Sequence, residues 1–334
     1  MRQLGRLLCL GAVLLIAASS VSAQTIKMGT LVPAGSTWDR NLKILAADWA
    51  RATDGQVRLK IYAGGRAGDE PDMLRKLRFN QLQAAGLSLS GMGQVFEGVL
   101  APATPMLVQN NDELDYVLEK MRPLIEKEFE KKGFKILFWN KAGWAHFFSR
   151  DPIVYPSDLR PQKLWVMEGN VEESNAWKKL GFRAVTFETL DLMVQLQSGG
   201  LDALVSSPII AAANQWFGIA DNMAEFKWAP FYGAFIMNLR TWRRIPERYH
   251  EAILEAGREC GRRMDRDTAE SNREALEVMR RYGLSINPTT PDAIEEWKEF
   301  VRRGLDVLVG DRFDISVYQL ARKYIDEYRR DASR

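Results

Sequence analysis

S-R-D-P-I-V-Y-P-S-D-L-R-P-Q-K-L-W-V-M-E-G-N (residues 149–170) continues through K-L-G-F-R-A-V (179–185) to L-Q-S-G-G-L-D-A-L-V-S-S-P (196–208). Short apolar runs alternate here with helical spacing. Residues 163–167 read as a strand, 172–180 as a helix closed by Gly181, and 184–187 as a strand. A helix over 190–197 closed by Gly199-Gly200 and a strand over 203–205 follow. Strand, helix, strand, helix, strand is the rhythm of an α/β domain built on a largely parallel sheet.

The same rhythm fills the start of the chain. A strand over 25–31 is broken by Pro33-Ala34-Gly35-Ser36, and Trp38, Leu42, Leu45, Ala46, Trp49 and Ala50 mark one helical face. Strands over 56–62 and 83–89 flank a helix over 70–80, and two further strands are expected at 134–139 and 144–149. A second α/β domain therefore begins near Ser149. The longest periodic segment is 246–282, with Pro246 at its first turn and Gly283 at its stop. At 1.5 Å per residue such a helix is ~55 Å long, more than one domain's diameter. It either breaks midway or crosses both domains. Helices over 292–304 and 316–329 close the chain.

The 334 residues suffice for two ordinary domains, and 46% hydrophobic with 27% charged residues describes a soluble globular chain rather than a disordered one. A net charge of +3 gives no footprint for nucleic acid or an acidic membrane. Residues 1–23 read as a signal peptide: Arg2 and Arg6 precede an apolar run over 7–18, and Val21-Ser22-Ala23 offers small residues for cleavage before Gln24. The run is shorter than the ~20 residues a membrane span needs. Its removal with both arginines lowers the charge from +3 to +1. Cys9 leaves with it, and Cys260, alone in a helical pattern, reads as a buried inert thiol.

Enzyme signals are weak. The two histidines, His146 and His250, lie apart from any metal-ligand spacing, and no nucleophile elbow, phosphate loop or dinucleotide fingerprint occurs. No cofactor, metal or catalytic residue is expected.

The order of pieces between 149 and 208 resembles the substrate-binding proteins of TRAP transporters (tripartite ATP-independent periplasmic transporters). Asp158-Leu159 with Lys163-Leu164-Trp165-Val166 is similar to the family's D-L-x-G-x-K-[hydrophobic]-R-V, and 196–202 to its L-x-x-G-x-[hydrophobic]-D. Thr53-Asp54-Gly55-Gln56-Val57 is similar to its T-x-G-x-V turn. The resemblance implies a two-domain periplasmic binding protein fold with a central cleft and a long helix spanning both domains. It divides the mature chain into one α/β domain of 24–148 and 233–264 and another of 149–232 and 265–334. It implies a periplasmic receptor that closes over a small organic ligand and delivers it to TRAP membrane permease subunits.

One departure bears on the ligand. Where most of the family carries the Arg that grips the substrate carboxylate, this chain has Trp165. An Arg fork makes two charge-assisted bonds to a carboxylate, whereas an indole offers one N–H and an apolar face. The expected ligand is therefore hydrophobic or compatible with an aromatic surface. The W-V-x-E-G segment is similar to a branch that binds without the Arg. Some members of that branch work beside a periplasmic TPR-repeat protein, which leaves a ligand-presenting scaffold or sensor as the alternative role.

The candidate ligand-binding residues are Trp38, Trp144, Trp165, Met167, Glu168, Gly169, Asn170, Phe187, Ser207, Pro208, Trp216 and Phe231. Gly169 lets backbone approach a ligand. Asn170 reads equally as a hydrogen-bonding contact or as the N-cap of the next helix. Glu168 pairs with a surface Arg or meets a polar or cationic group of the ligand. Arg66 is read as a loop charge in water and is the place to look if the ligand keeps an acid group.

Overall fold

The computed structural model describes residues 23–310 and 313–332. The expected signal peptide lies outside these residues except for Ala23. The first lobe is laid down as β1 (Gln24–Gly29), α1 (Thr37–Ala52), β2 (Val57–Tyr62), α2 (Glu70–Arg78), β3 (Ala84–Ser88), α3 (Leu89–Gly93) and α4 (Asn111–Lys131). Strand β4 (Phe134–Ser149) then carries the chain into the second lobe. There follow α5 (Pro156–Leu159), β5 (Lys163–Met167), α6 (Val171–Lys179), β6 (Arg183–Phe187), α7 (Leu192–Ser198), β7 (Ala203–Ser206), α8 (Pro208–Ala213) and β8 (Asn222–Ala224). Strand β9 (Ala229–Asn238) returns, followed by α9 (Leu239–Trp242), α10 (His250–Arg281), β10 (Ser285–Asn287), α11 (Pro291–Arg303) and α12 (Ile315–Ala332).

Local chemistry explains the elements that frame the cleft. Ser36 caps α1 by accepting the Asp39 N–H at 3.2 Å, and Leu42, Leu45 and Trp49 bury one face of that helix. Asn110 caps α4 in the same way through the Glu113 N–H. The sequence reading assigned no element to residues 90–133. Yet Leu114, Val117, Leu118, Met121, Ile125 and Phe129 form a buried helical stripe, interrupted in sequence by dense charge and by Pro123 inside the helix.

The sheet order is β2-β1-β3-β9-β4-β7-β5-β6. Strands β1, β2 and β3 are parallel, as are β7, β5 and β6, while β9 and β4 run antiparallel to their neighbours. The two strands expected at 134–139 and 144–149 are one 16-residue strand. Its pairing shifts between Ile136 and Phe138 and between Lys141 and Gly143, where Gly143 takes φ of 91°. Such bulges bend a strand without ending it. Residues as far as Ala145 pair with β9, and from His146 onward the strand pairs with β7.

Each lobe has a core on both faces of its half-sheet. In the first lobe, Met73, Val117, Phe129 and Ile136 lie on one side, and Ile26, Leu45, Trp49 and Met264 on the other. In the second, Phe147, Trp177, Trp228 and Trp297 form an aromatic core, and Phe148, Leu196, Trp216 and Met279 fill the opposite face. The long helix contributes Ile253, Cys260 and Met264 to the first lobe and Ala275 and Met279 to the second, so it crosses both. A 3-10 turn, Glu247–Tyr249, precedes it, and its 32 residues span ~48 Å. Burial pushes the Cys260 thiol up to about 12.

The C-terminal helix requires a correction. Residues 265–334 were expected as a block in the second domain, but α12 packs Tyr318, Ala321 and Ile325 into the first-lobe core. Arg329 fixes it there, donating to both carboxylate oxygens of Glu113 at 2.8 and 3.0 Å and to the Leu107 carbonyl at 3.1 Å. Burial works against the Glu113 charge, but the guanidinium outweighs it and holds the carboxyl below its ordinary range.

A buried carboxylate shapes the wall between β3 and α3. Glu70 accepts the Ser88 N–H at 2.6 Å and the Ser88 hydroxyl at 2.8 Å. A Cβ on Gly91 would strike its Oε2, so glycine is required there. Burial raises the Glu70 carboxyl from 4.5 to about 7; the Ser88 bonds oppose the rise and Asp69 adds to it.

Two consequences are measurable. A Cβ at Gly261 would overlap the Trp139 carbonyl oxygen, a backbone atom of β4. Gly261→Ala is expected to destabilise by ~1–2 kcal/mol, the overpacking cost exceeding the ~1 kcal/mol gain in helix propensity. Chemical denaturation decides the sign, and a more stable variant would refute close packing of α10 on β4. At Glu70, the unfolded chain releases its proton near 4.5 and the folded chain near 7. The folded state binds more protons across that window, so this group's contribution to stability falls as pH rises through it, by ~3 kcal/mol in all. Glu70→Gln should flatten that part of the stability–pH curve; an unchanged slope would contradict the assignment.

Candidate functional site

Where β4 hands over from β9 to β7, a cavity of about 110 Å³ lies between the lobes. The first lobe supplies Leu89, Ser90, Leu100 and Thr104. The second supplies Trp165, Met167, Trp177 and Val205, and the crossing strands add Ala145, Pro230 and Phe231. Phe313, just before α12, also lines it. Its one ionisable lining residue is Glu173; among the described residues no Arg, Lys or His faces it. A buried carboxylate therefore has no cation to meet on this wall, and desolvating it without one costs several kcal/mol.

Trp165 stands on β5 with its ring half-buried. Its N–H donates to the Phe187 carbonyl at 3.0 Å, on the parallel neighbour β6. The single donor of the indole is thereby spent on the sheet, and what remains for the cavity is an apolar face. Trp216 packs 6.5 Å from it, centroid to centroid. Phe187 is half-buried in the same core.

Of the other candidates, Met167 and Phe231 line the cavity with Trp165, and the rest stand around it or elsewhere. Trp144 packs on the first-lobe core beneath Lys227, whose Nζ lies 4.8 Å from the ring. Trp38 packs on the opposite face of that lobe, and its buried Nε1 has no hydrogen-bond partner among the described residues. Glu168 and Gly169 are exposed, Gly169 at φ of 89°. Asn170 occupies the N-cap position of α6 without a side-chain cap bond, its amide 3.5 Å from Glu173 Oε2. Pro208 begins α8. Ser207 is fully buried, and its Oγ lacks a partner among the described residues. It follows the last residue of β7 and does not line the cavity, although Val205 two positions earlier does. Arg66 is exposed and does not line it.

Contacts across the cleft came from residues the sequence reading did not single out. Asp69, the N-cap of α2, accepts the Thr189 N–H from the second lobe through its Oδ2 while Oδ1 holds the Glu70 N–H. Leu190 sits so close to Gly65 that a Cβ there would collide with it. Gln94 lies 3.9 Å from the Met167 sulfur and against Gly169. A D-E-P start to α2 signals a cap, but nothing in sequence tells that the cap's second oxygen reaches the other lobe. The rim beside this contact is acidic: partial burial, then Asp69, Asp72, Glu168 and Asp191, raise the Glu188 carboxyl.

Neither histidine belongs to the site. His146 Nδ1 lies 3.0 Å from the Ala224 carbonyl, and burial lowers its pKa. His250 stacks on Trp242 at 4.0 Å. Among the described residues no cluster of His, Cys, Asp or Glu has metal-binding geometry, and no helix is long and apolar enough to cross a membrane.

Solved structures share this architecture. The sugar acid binding protein DctPAm of Advenella mimigardefordensis, in complex with galactonate, superposes with a TM-score of 0.85 at 15% identity, covering 91% of this chain and 98% of that one. A TRAP periplasmic solute binding protein of Desulfovibrio salexigens with bound orotic acid gives 0.84 at 19% identity, over 92% and 99% of the two chains. In sequence, the sialic acid-binding periplasmic protein SiaP of Vibrio cholerae is 22% identical over 286 residues, 85% of this chain and 88% of its own. At these identities the structures speak for the fold alone. The model of the bacterial extracellular solute-binding proteins, family 7 (DctP), matches residues 28–308, so the chain belongs to that family of TRAP solute-binding receptors, which bind solutes and are not enzymes.

Proposed function

We propose that this receptor captures, in the periplasm, a small organic molecule with an apolar or aromatic face, closes its two lobes on it and delivers it to a TRAP permease. The N-terminal 23 residues serve as the export signal and are removed. The observation that carries the ligand class is the indole of Trp165 on a wall without Arg, Lys or His. The named relatives hold galactonate and orotic acid, both acids; this wall offers an acid no guanidinium. A ring laid on Trp165, burying ~100 Å² of apolar surface, gains ~2.5 kcal/mol.

The cavity of about 110 Å³ is small; ~150 Å³ is what benzene fills in an engineered core. A ligand larger than one ring therefore requires the lobes to separate and re-close around it. Asp69 and Thr189 join the two lobes; separation of the lobes would break this contact and re-closure would restore it, so in this reading ligand affinity draws on it.

Mass spectrometry of compounds retained by the purified protein, followed by calorimetry, tests the ligand class. The expected finding is a retained molecule with an apolar face, negligible heat with succinate or malate, and ~10–50-fold weaker binding in Trp165→Ala. Tight, salt-sensitive succinate binding that survives Trp165→Ala would overturn the reading. Closure has its own test by small-angle scattering: ligand should reduce the radius of gyration of the wild type, and Asp69→Ala should blunt the reduction and raise Kd. Equal compaction in both proteins would remove Asp69 from the mechanism.

A further inference from the structure

At the far end of the first lobe, away from the cleft, lies a groove of about 460 Å³. It forms where α2 and α4 end and where β9 passes into α9. Its rim carries Arg78, Lys132, Arg240 and Arg243, and no carboxylate lines it. All four side chains are exposed, and none has an ion pair or a hydrogen bond among the described residues. On the outer face of α10, by contrast, Arg258, Arg262 and Arg273 are each paired with neighbouring glutamates.

The floor is fixed. The Asn238 amide donates to Asn80 Oδ1 at 3.0 Å and to the Leu82 carbonyl at 3.2 Å, while its Oδ1 accepts the Thr241 N–H at 2.7 Å. Thr241 Oγ1 donates to Asn80 Oδ1 at 3.1 Å, and the Leu239 N–H donates to the Gly133 carbonyl. Asn80 takes φ of 58° to make this turn. Next to it Phe79 is 73% exposed, the largest aromatic surface on this end of the lobe.

Cations at helix C-termini ordinarily answer the macrodipole, and α2 and α4 both end here. Each terminus carries only about half a negative charge. Two termini against four full positive charges leave the groove strongly positive. We propose that it is a docking site for an acidic polypeptide segment bearing an apolar side chain, supplied by a partner protein in the same compartment. Carboxylates would meet the four cations at the rim, and the apolar residue would cover Phe79. Concavity favours a chain over a bilayer, since a flat lipid surface cannot reach the floor of a groove. Strand β3, ~17 Å long, lies between Asn80 of the groove and Leu89 of the cavity wall. A docked partner thus leaves the ligand cleft free, and the inference stands whatever the ligand is.

The test measures anisotropy of a fluorescein-labelled oligoglutamate peptide with one central phenylalanine, titrated with the full mature chain at low and at physiological ionic strength. Binding is expected at low salt and should weaken as salt screens the rim. Arg240→Glu/Arg243→Glu should lose at least ~tenfold in affinity. Arg302→Glu/Arg303→Glu, the same charge change on α11 of the second lobe, should lose far less. Phe79→Ser, which leaves the charge unaltered, should weaken binding severalfold. Thermal melts of each variant report folding. Absence of binding at low salt, equal losses in the two double variants, or sedimentation with phosphatidylglycerol vesicles in place of peptide binding would each overturn the proposal.

Discussion

The architecture depends on how the bulged strand β4 is held against α10. A bulge leaves backbone groups out of the ladder, and buried groups of that kind need partners. Three residues one turn apart on α10 provide them. Asp265 accepts the Lys141 N–H at 2.7 Å, Thr268 donates to the Lys141 carbonyl at 2.9 Å, and Asn272 donates to the Ala142 carbonyl at 3.2 Å. Asn272 also accepts the Ile209 N–H of α8 at 2.9 Å, so one side chain ties the crossing strand to the second lobe. Gly257 and Gly261 bring the same helix close enough for these bonds. Because β4 continues through the bulge, it serves two half-sheets, and the cavity opens where its pairing changes.

The chemistry of that cavity follows from what the sheet has already consumed. An indole whose N–H is committed to Phe187 can present only its ring. Burial of Trp177 and Trp228 in the aromatic core behind the same wall makes the surroundings apolar and rigid. Carboxylates collect instead at the rim, where Asp69 spends one oxygen on its own helix and the other on the opposite lobe. The interior is thus lined by apolar surface, and the charged groups stand outside it.

Much of this was legible in sequence wherever a local period sets the structure. Leu42, Leu45 and Trp49 on α1, the strand–helix alternation from Lys163 to Ser206, and the 3-4 spacing along α10 each report a buried face that a window of residues can show. Contacts set by distant partners were not legible. Residues 140–143 read as a gap between two strands because a bulge and a turn both draw on glycine, here Gly143; only the partner strand β9 distinguishes them. The wall from Leu89 to Thr104 is short helix and 3-10 turn with no sustained period. Placement of α12 on the first lobe rests on Arg329 meeting Glu113 across 216 positions, a pairing that neither segment announces.

These ties also join the two lobes. The lobes are joined through β4, β9, α10 and the connection from α11 to α12, and their cores are otherwise separate. Helix α10 packs on both lobes, through Met264 on one side and Ala275 and Met279 on the other. Thr268 Oγ1 bonds back to the Met264 carbonyl at 2.7 Å, and the Asn272 amide bonds back to the Thr268 carbonyl at 2.9 Å. Side chains that compete in this way for i−4 carbonyls loosen the ladder and bend helices. They occur beside the strand bulge, between Met264 of the first-lobe core and Ala275 of the second. The residues that satisfy the strand bulge are therefore the same ones that bond back along their own helix.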